Sequence, residues 1–283
     1  MSEQTADHGS IIDAIVSNSG RCTLPYQQAH RGEAFGTAFW FNDLLSEDDD
    51  GNATYRQYLL TAGALTRYDL AEIRLRPGLS ESAMSAGALM MLRFQEGWIP
   101  LGDSGVSVLP TDVLHALARR KKWAWATDEI TDGMAATAED IARLGDAPVA
   151  AYVLGHDVGP DRTQREQAVI VGKVVRSGDH GGFVWDGRVP QGCAGAPVFV
   201  GLQLEGRRFK LVCLGVLLPG EGGSEGGSEG GNEGGNEGDG DGPRHPVATF
   251  DRIRTAVRGL SEASASGAGT APAAKSRWWH GRR

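Results

Sequence analysis

Cysteine is scarce and scattered. Cys22, Cys193 and Cys213 are all there is in 283 residues, an odd number at wide spacing that suits reduced thiols and excludes a disulfide framework. No eighteen consecutive apolar residues occur, so no membrane-spanning helix is expected. The opening stretch lacks a basic region followed by an apolar one, so no secretory peptide is expected and the chain reads as cytoplasmic. The sequon at Asn52 therefore has no glycosylation role. No histidine or cysteine has a partner at metal-ligand spacing, and neither a metal nor a cofactor is expected. Against these gaps, 40% of residues are hydrophobic and 23% charged, which is enough apolar material for a folded core.

Glycine is the exception to this scarcity. Many of the 41 glycines fall between residues 220 and 242, where a four-residue unit repeats as EGGS and then EGGN. With no apolar side chain to bury, such a stretch cannot offset the entropy of ordering, and a flexible acidic loop is expected there. Glu221, Glu225, Glu229, Glu233, Glu237, Asp239 and Asp241 account for seven of the eight net negative charges. The rest of the chain is close to neutral, so net charge says little about what the folded part binds.

From Gly36 onward the chain reads as short strands between turns. Residues 36–43 and 55–65 form a hairpin around the acidic loop 46–52. Residues 71–78 alternate apolar and polar side chains, and MMLRFQ, GWIPLG and GVSVLP continue the strand pattern to Pro110. The middle is helical: residues 111–123 carry a 3.6-residue pattern, and 137–145 open with Thr137 as N-cap and Asp140 three residues on. Strand character returns over 148–157, 167–175, 181–187, 196–203 and 209–218. A closing helix is expected from Pro246, with Val247, Phe250, Ile253, Val257 and Leu260 on one face. The pattern predicts an all-β protein of two antiparallel barrels. Its expected parts are an N-terminal segment 1–34, a first barrel 35–110, a helical connection 111–147, a second barrel 148–218, the acidic loop 219–245, a helix 246–261 and a disordered basic tail 262–283.

One run carries chemistry: GRVPQGCAGAPVFVG, residues 187–201. Gly192, Gly195 and Pro197 fit the pattern G-x-S-G-x-P, a tight turn whose backbone N–H groups receive an oxyanion beside a nucleophile. Ala194 occupies the nucleophile's place. On this run, and on GTAFWF, YLLTAGAL, GDSGVSVLP and CLGVLL in the same order, the chain resembles the trypsin-like serine peptidases, in particular their intracellular bacterial branch. The resemblance spans residues 36–218 and implies a chymotrypsin-like double barrel. It places the family's general base at Ala64, the aspartate at Gly105 and the nucleophile at Ala194. Alanine and glycine supply neither base nor nucleophile, and hydrolysis by a triad is not expected.

Displaced residues offer poor replacements. Asp103 lies two residues before Gly105, but a carboxylate without a histidine to orient achieves nothing. Cys193, beside Ala194, lacks an activating histidine at position 64, and its simpler reading is a buried thiol. His30 and His180 read as surface residues. Residues 119–125, with four basic groups before Trp123 and Trp125, read as solvated charge beside core aromatics. The basic end 275–283, with Trp278 and Trp279, suits a partner-binding motif and an idle tail equally.

The resemblance thus implies an inactive serine protease homologue acting by peptide or protein binding, as a regulatory or scaffold component. Gly192 and Ala194 would supply oxyanion-type donors. Arg188, Cys193 and Cys213 are candidate pocket residues, and the strand around 213–216 would pair with an extended peptide. No nucleic-acid or membrane partner is expected. The alternative is an active peptidase whose triad is displaced or was deliberately replaced.

Overall fold

The structure is a computed structural model, and it describes residues 7–28, 34–74, 88–92, 94–122, 126–159, 165–178, 182–205, 208–220 and 244–265. The acidic glycine segment from 221 to 243, His30, His180, Trp123, Trp125 and the tail beyond 265 lie outside these residues. Among them no helix is long and apolar enough to cross a membrane.

The fold class is the expected one, all-β in two antiparallel units. The first is a curled sheet of β1 (Thr23–Gln28), β2 (Phe35–Glu47), β3 (Ala53–Ala62), β4 (Leu70–Arg74), β5 (Ala88–Leu92), β6 (Ile99–Pro100) and β7 (Val106–Pro110). They run in the order β5-β4-β1-β2-β3-β7-β6, and β8 (Ile130–Thr131) adds to β2 in parallel. The second is a closed barrel of β9 (Val149–Val158), β10 (Arg165–Arg176), β11 (Phe183–Asp186), β12 (Pro197–Gln203), β13 (Phe209–Leu217) and β14 (His245–Thr249).

Strand β2 joins the two units. Its near-continuous apolar run is buried on both faces, as a central strand's must be. At period two, Phe39 and Phe41 enter the large core shared with the barrel, whereas Ala38 and Trp40 enter a smaller core with Leu24, Leu59 and Leu65.

The hairpin between β2 and β3 is tighter than expected. Pairing continues to Glu47↔Ala53, so the loop shrinks to residues 48–52. There the Asp48 carboxylate accepts the N–H groups of Asp50 at 3.1 Å and Asn52 at 2.7 Å. These bonds, with that from the Asn52 side chain, hold its pKa below the usual carboxylate range. The single helical turn Phe94–Gly97 replaces part of an expected strand.

The expected middle helices are present as Asp112–Lys121 and Ala138–Arg143. The second has the reciprocal capping box of Thr137 and Asp140. Two elements of the N-terminal segment were not expected: a helix at His8–Ser19, which buries Ile11, Ile15 and Ser19, and β1. The isoleucine at 11 seats over Gly201 of β12, where a Cβ would lie 2.8 Å from Ile11 Cδ1.

The closing helix begins later than expected. Residues 245–249 are strand β14, which pairs with β11 and β13 and closes the barrel. Pro246 and the β-branched Val247 and Thr249 favour extended backbone, and the helix runs from Phe250 to Ala265. Its Phe250, Ile253 and Val257 are fully buried. The Phe250 ring lies 5.2 Å from that of Phe41, so this helix seals the first sheet as well. Residues 218–244 connect two neighbouring strands of one barrel.

Candidate functional site

Ala64 stands in the 3-10 turn Gly63–Thr66 that ends β3. Gly105 closes a second such turn, Gly102–Ser104, in front of β7. The Gly63 N–H donates to the Gly105 carbonyl at 2.7 Å, so the two turns abut. Gly105 has φ +73, a left-handed conformation that suits glycine, and a Cβ there would lie 2.9 Å from Leu218 Cδ1.

The turn bearing Ala194 belongs to the barrel but is clamped from both sides. From the first sheet, the Thr37 N–H donates to the Ala194 carbonyl at 2.8 Å, and the Thr37 hydroxyl donates to the Gly192 carbonyl at 2.7 Å. From the barrel, the Gly195 N–H donates to Leu217 at 2.8 Å, and the Ala196 N–H to Cys193 at 3.0 Å. Gly195 sits at φ +83, where a Cβ would strike Thr61 Oγ1 and the Thr37 carbonyl. Gly63 thus touches Gly105, Thr37 holds Ala194, and Leu218 borders Gly105 along one seam. Ala64 and Gly105 are exposed and Ala194 half-buried.

Two donors of this turn remain. The amide N–H groups of Gly192 and Ala194 donate to nothing among the described residues, whereas the Gly192, Cys193 and Ala194 carbonyls each accept a bond. Buried backbone N–H groups without partners, such as that of Gly192, are rare in folded proteins and mark a place for water or ligand.

The candidate pocket residues differ in exposure. Arg188 is exposed. Cys193 is fully buried beneath the turn, where a Cβ at Gly155 would lie 2.6 Å from its sulfur. Burial, with a contribution from Asp157, pushes its thiol pKa up to about 12. It is protonated at neutral pH and not a nucleophile. Cys213 is also fully buried, and burial pushes its thiol well above the ordinary value.

The strand around Cys213 is not a free edge. β13 pairs with β12 through Pro197↔Val216 and with β14 through Gly215↔Thr249 to Leu217↔Val247. The Cys213 N–H donates to Met134 at 2.8 Å, and its carbonyl accepts Ala136 N–H at 2.9 Å. Residues 213–216 therefore cannot pair with an added peptide strand, because barrel closure has used both of their edges.

Several residues that hold the seam carried no motif. His156 is fully buried, with Nε2 3.0 Å from Thr23 Oγ1 and its own N–H donating to Thr37 Oγ1 at 3.1 Å. Thr61 donates to the Thr37 carbonyl at 2.8 Å. The His245 ring, whose pKa burial lowers despite the bond to Leu218, has Nδ1 3.3 Å from the Leu218 carbonyl. Among the described residues no group of three or more histidine, cysteine, aspartate or glutamate side chains is placed to hold a metal ion.

No protein-family model and no curated protein matches the chain. Solved structures similar to it include the thermostable serine protease AL20 from an extremophilic microorganism, at 9% identity over 87% of this chain and 99% of that one, with a TM-score of 0.45. The tobacco etch virus protease complexed with product is similar at 7% identity over 87% and 80%, TM-score 0.45. The protease Anisep from Arthrobacter nicotinovorans is similar at 9% identity over 84% and 96%, TM-score 0.43.

Proposed function

We propose that this chain is a trypsin-like peptidase homologue, of the intracellular bacterial branch, that has no working triad and acts by binding a peptide or protein segment at the seam. The observation that supports this reading is the pair of Gly192 and Ala194 amides left without partners, on a turn that Thr37 holds, while Gly63 beside Ala64 bonds to Gly105. None of the three side chains can move a proton or attack a carbonyl. In a serine protease of unrelated fold, removing the triad costs roughly 10⁶-fold in turnover. Burial of Cys193 weighs against a thiol-based alternative, and a cytoplasmic location agrees with three free cysteines.

The test is restoration. The Gly105 position accepts aspartate only if its φ is kept and Leu218 yields, since aspartate tolerates left-handed backbone better than most residues but its Cβ meets the Leu218 methyl. The appropriate variant is therefore A64H/G105D/A194S with L218S. Peptide hydrolysis and fluorophosphonate labelling at position 194 are expected in that variant and neither in the native chain. Labelling of any serine, or peptidase activity, in the native chain overturns the proposal.

A further inference from the structure

We propose that the seam captures a chain-terminal carboxylate, the free C-terminus of a partner polypeptide, rather than an internal stretch of backbone. This rests on the reading of the seam as a binding site. The first argument is the polarity of the turn. Every carbonyl from Gly192 to Ala194 is engaged and two amide donors, one residue apart, are not. The missing partner is an acceptor. A carboxylate brings two oxygens and a full charge, and hydrogen bonds to it are roughly twice as strong as those to a neutral carbonyl.

The turn is also free of negative charge. Residues 190–197 read PQGCAGAP, with no acidic side chain to fill the site from within or to repel an anion. The carboxylate that acts on Cys193 is Asp157. Its side chain is exposed, so salt at physiological strength screens it over about 8 Å.

An internal segment has nowhere to run. Peptides that bind by strand addition need a series of alternating donors and acceptors on an exposed edge. Both edges of β13 are occupied over residues 215–217. Beyond it, the Leu218 N–H donates to Pro246 at 2.8 Å, the Leu218 carbonyl faces His245 Nδ1, and Pro219 has no N–H to offer. A terminal carboxylate needs only the two amides. Apolar side chains border the seam: Leu65 lies against Gly36, whose other near neighbour is the Ala194 carbonyl, and Leu218 lies against Gly105. The last residue of the partner is accordingly an apolar one.

The experiment uses the full chain labelled with ¹⁵N. The probe is a pool of twenty N-acetylated pentapeptides, Gly-Ser-Gly-Ala followed by each amino acid in turn. The pool is supplied as free acids, as C-terminal amides, and as amides extended by two glycines that bury the varied residue inside the chain. The expected result is a downfield shift of the Gly192 and Ala194 amide protons with the free acids, with the amides at least tenfold weaker. Members with an apolar last residue should account for the binding. The Ala194→Asp substitution, which brings its own carboxylate to the turn, should abolish it. Amides or extended peptides that bind at these two residues as tightly as the acids would overturn terminal capture while leaving peptide binding at the seam intact. No binding by any form, with both resonances unmoved, would overturn both readings.

Discussion

Thr37 and Gly192, 155 residues apart in sequence, are joined by a buried 2.7 Å hydrogen bond from the threonine hydroxyl to the glycine carbonyl. The same hydroxyl accepts the His156 N–H at 3.1 Å. One oxygen on the first sheet thus fixes both the candidate turn and the barrel strand beneath it.

Thr37→Val keeps the shape and removes that oxygen, taking this donor from the buried Gly192 carbonyl and this acceptor from the buried His156 N–H. Each such loss costs about 1–3 kcal/mol, so a fall of roughly 2–5 kcal/mol is expected in urea unfolding, with Thr37→Ser recovering most of it. An unchanged midpoint for the valine variant would show that this bond does not hold the turn.

Gly195→Ala is expected to be far worse than its single methyl suggests. The new Cβ meets Thr61 Oγ1, the Thr37 carbonyl and Ala62 N at φ +83, and two of those atoms are backbone. A loss above about 3 kcal/mol, or failure to accumulate as folded protein, is expected. Gly178→Ala, where a Cβ meets nothing within 4 Å, serves as the control and should stay within about 0.5 kcal/mol of the parent. Equal stabilities would place the turn elsewhere.

All three cysteines are buried in the native chain. Iodoacetamide at neutral pH is therefore expected to leave them unmodified for hours and to alkylate all three in denaturant, as read by intact mass. Rapid native labelling of Cys193 would contradict its burial and a thiol pKa pushed up to about 12.

Asp43 is fully buried, and neither carboxylate oxygen has a hydrogen-bond partner among the described residues. Burial pushes its pKa up, and the neighbouring Asp132 adds to this against the pull of Arg258, Arg254 and Arg56. With a raised folded value, the folded state binds more protons than the unfolded one as pH rises from the ordinary value of 3.8. Stability therefore falls across that window. Asp43→Asn should raise the melting temperature near neutral pH, and its advantage should vanish in acid below the ordinary value. A variant less stable than the parent at pH 7 would show that the carboxylate is held favourably instead.

Much of the architecture was legible in local pattern. Alternating strands, the Thr137 cap and the Gly192–Gly195–Pro197 turn are features of consecutive residues, and they fold as they read. Other elements were hidden for physical reasons. The spacing of Val247, Phe250, Ile253 and Val257 fits a helix throughout, yet barrel closure draws 245–249 into a strand. Strand β1 was masked by Pro25, which is tolerated because pairing with β4 begins one residue later, at Tyr26↔Ile73. At the site, the residue positions could be set out in order, but their company could not. That Leu218 fills the space beside Gly105, or that both edges of β13 are occupied, depends on contacts between distant segments and leaves no local signature.

The last strand of the barrel arrives after a detour. Because β14 follows residues 218–244, synthesis must reach Thr249 before the barrel can close, and until then β11 and β13 each expose an edge that β14 will cover. While residues 218–244 are being made, the emerging second unit still lacks one stave and the helix that seals it. A chain cut before residue 245 is therefore expected to leave two open strand edges and to associate through them.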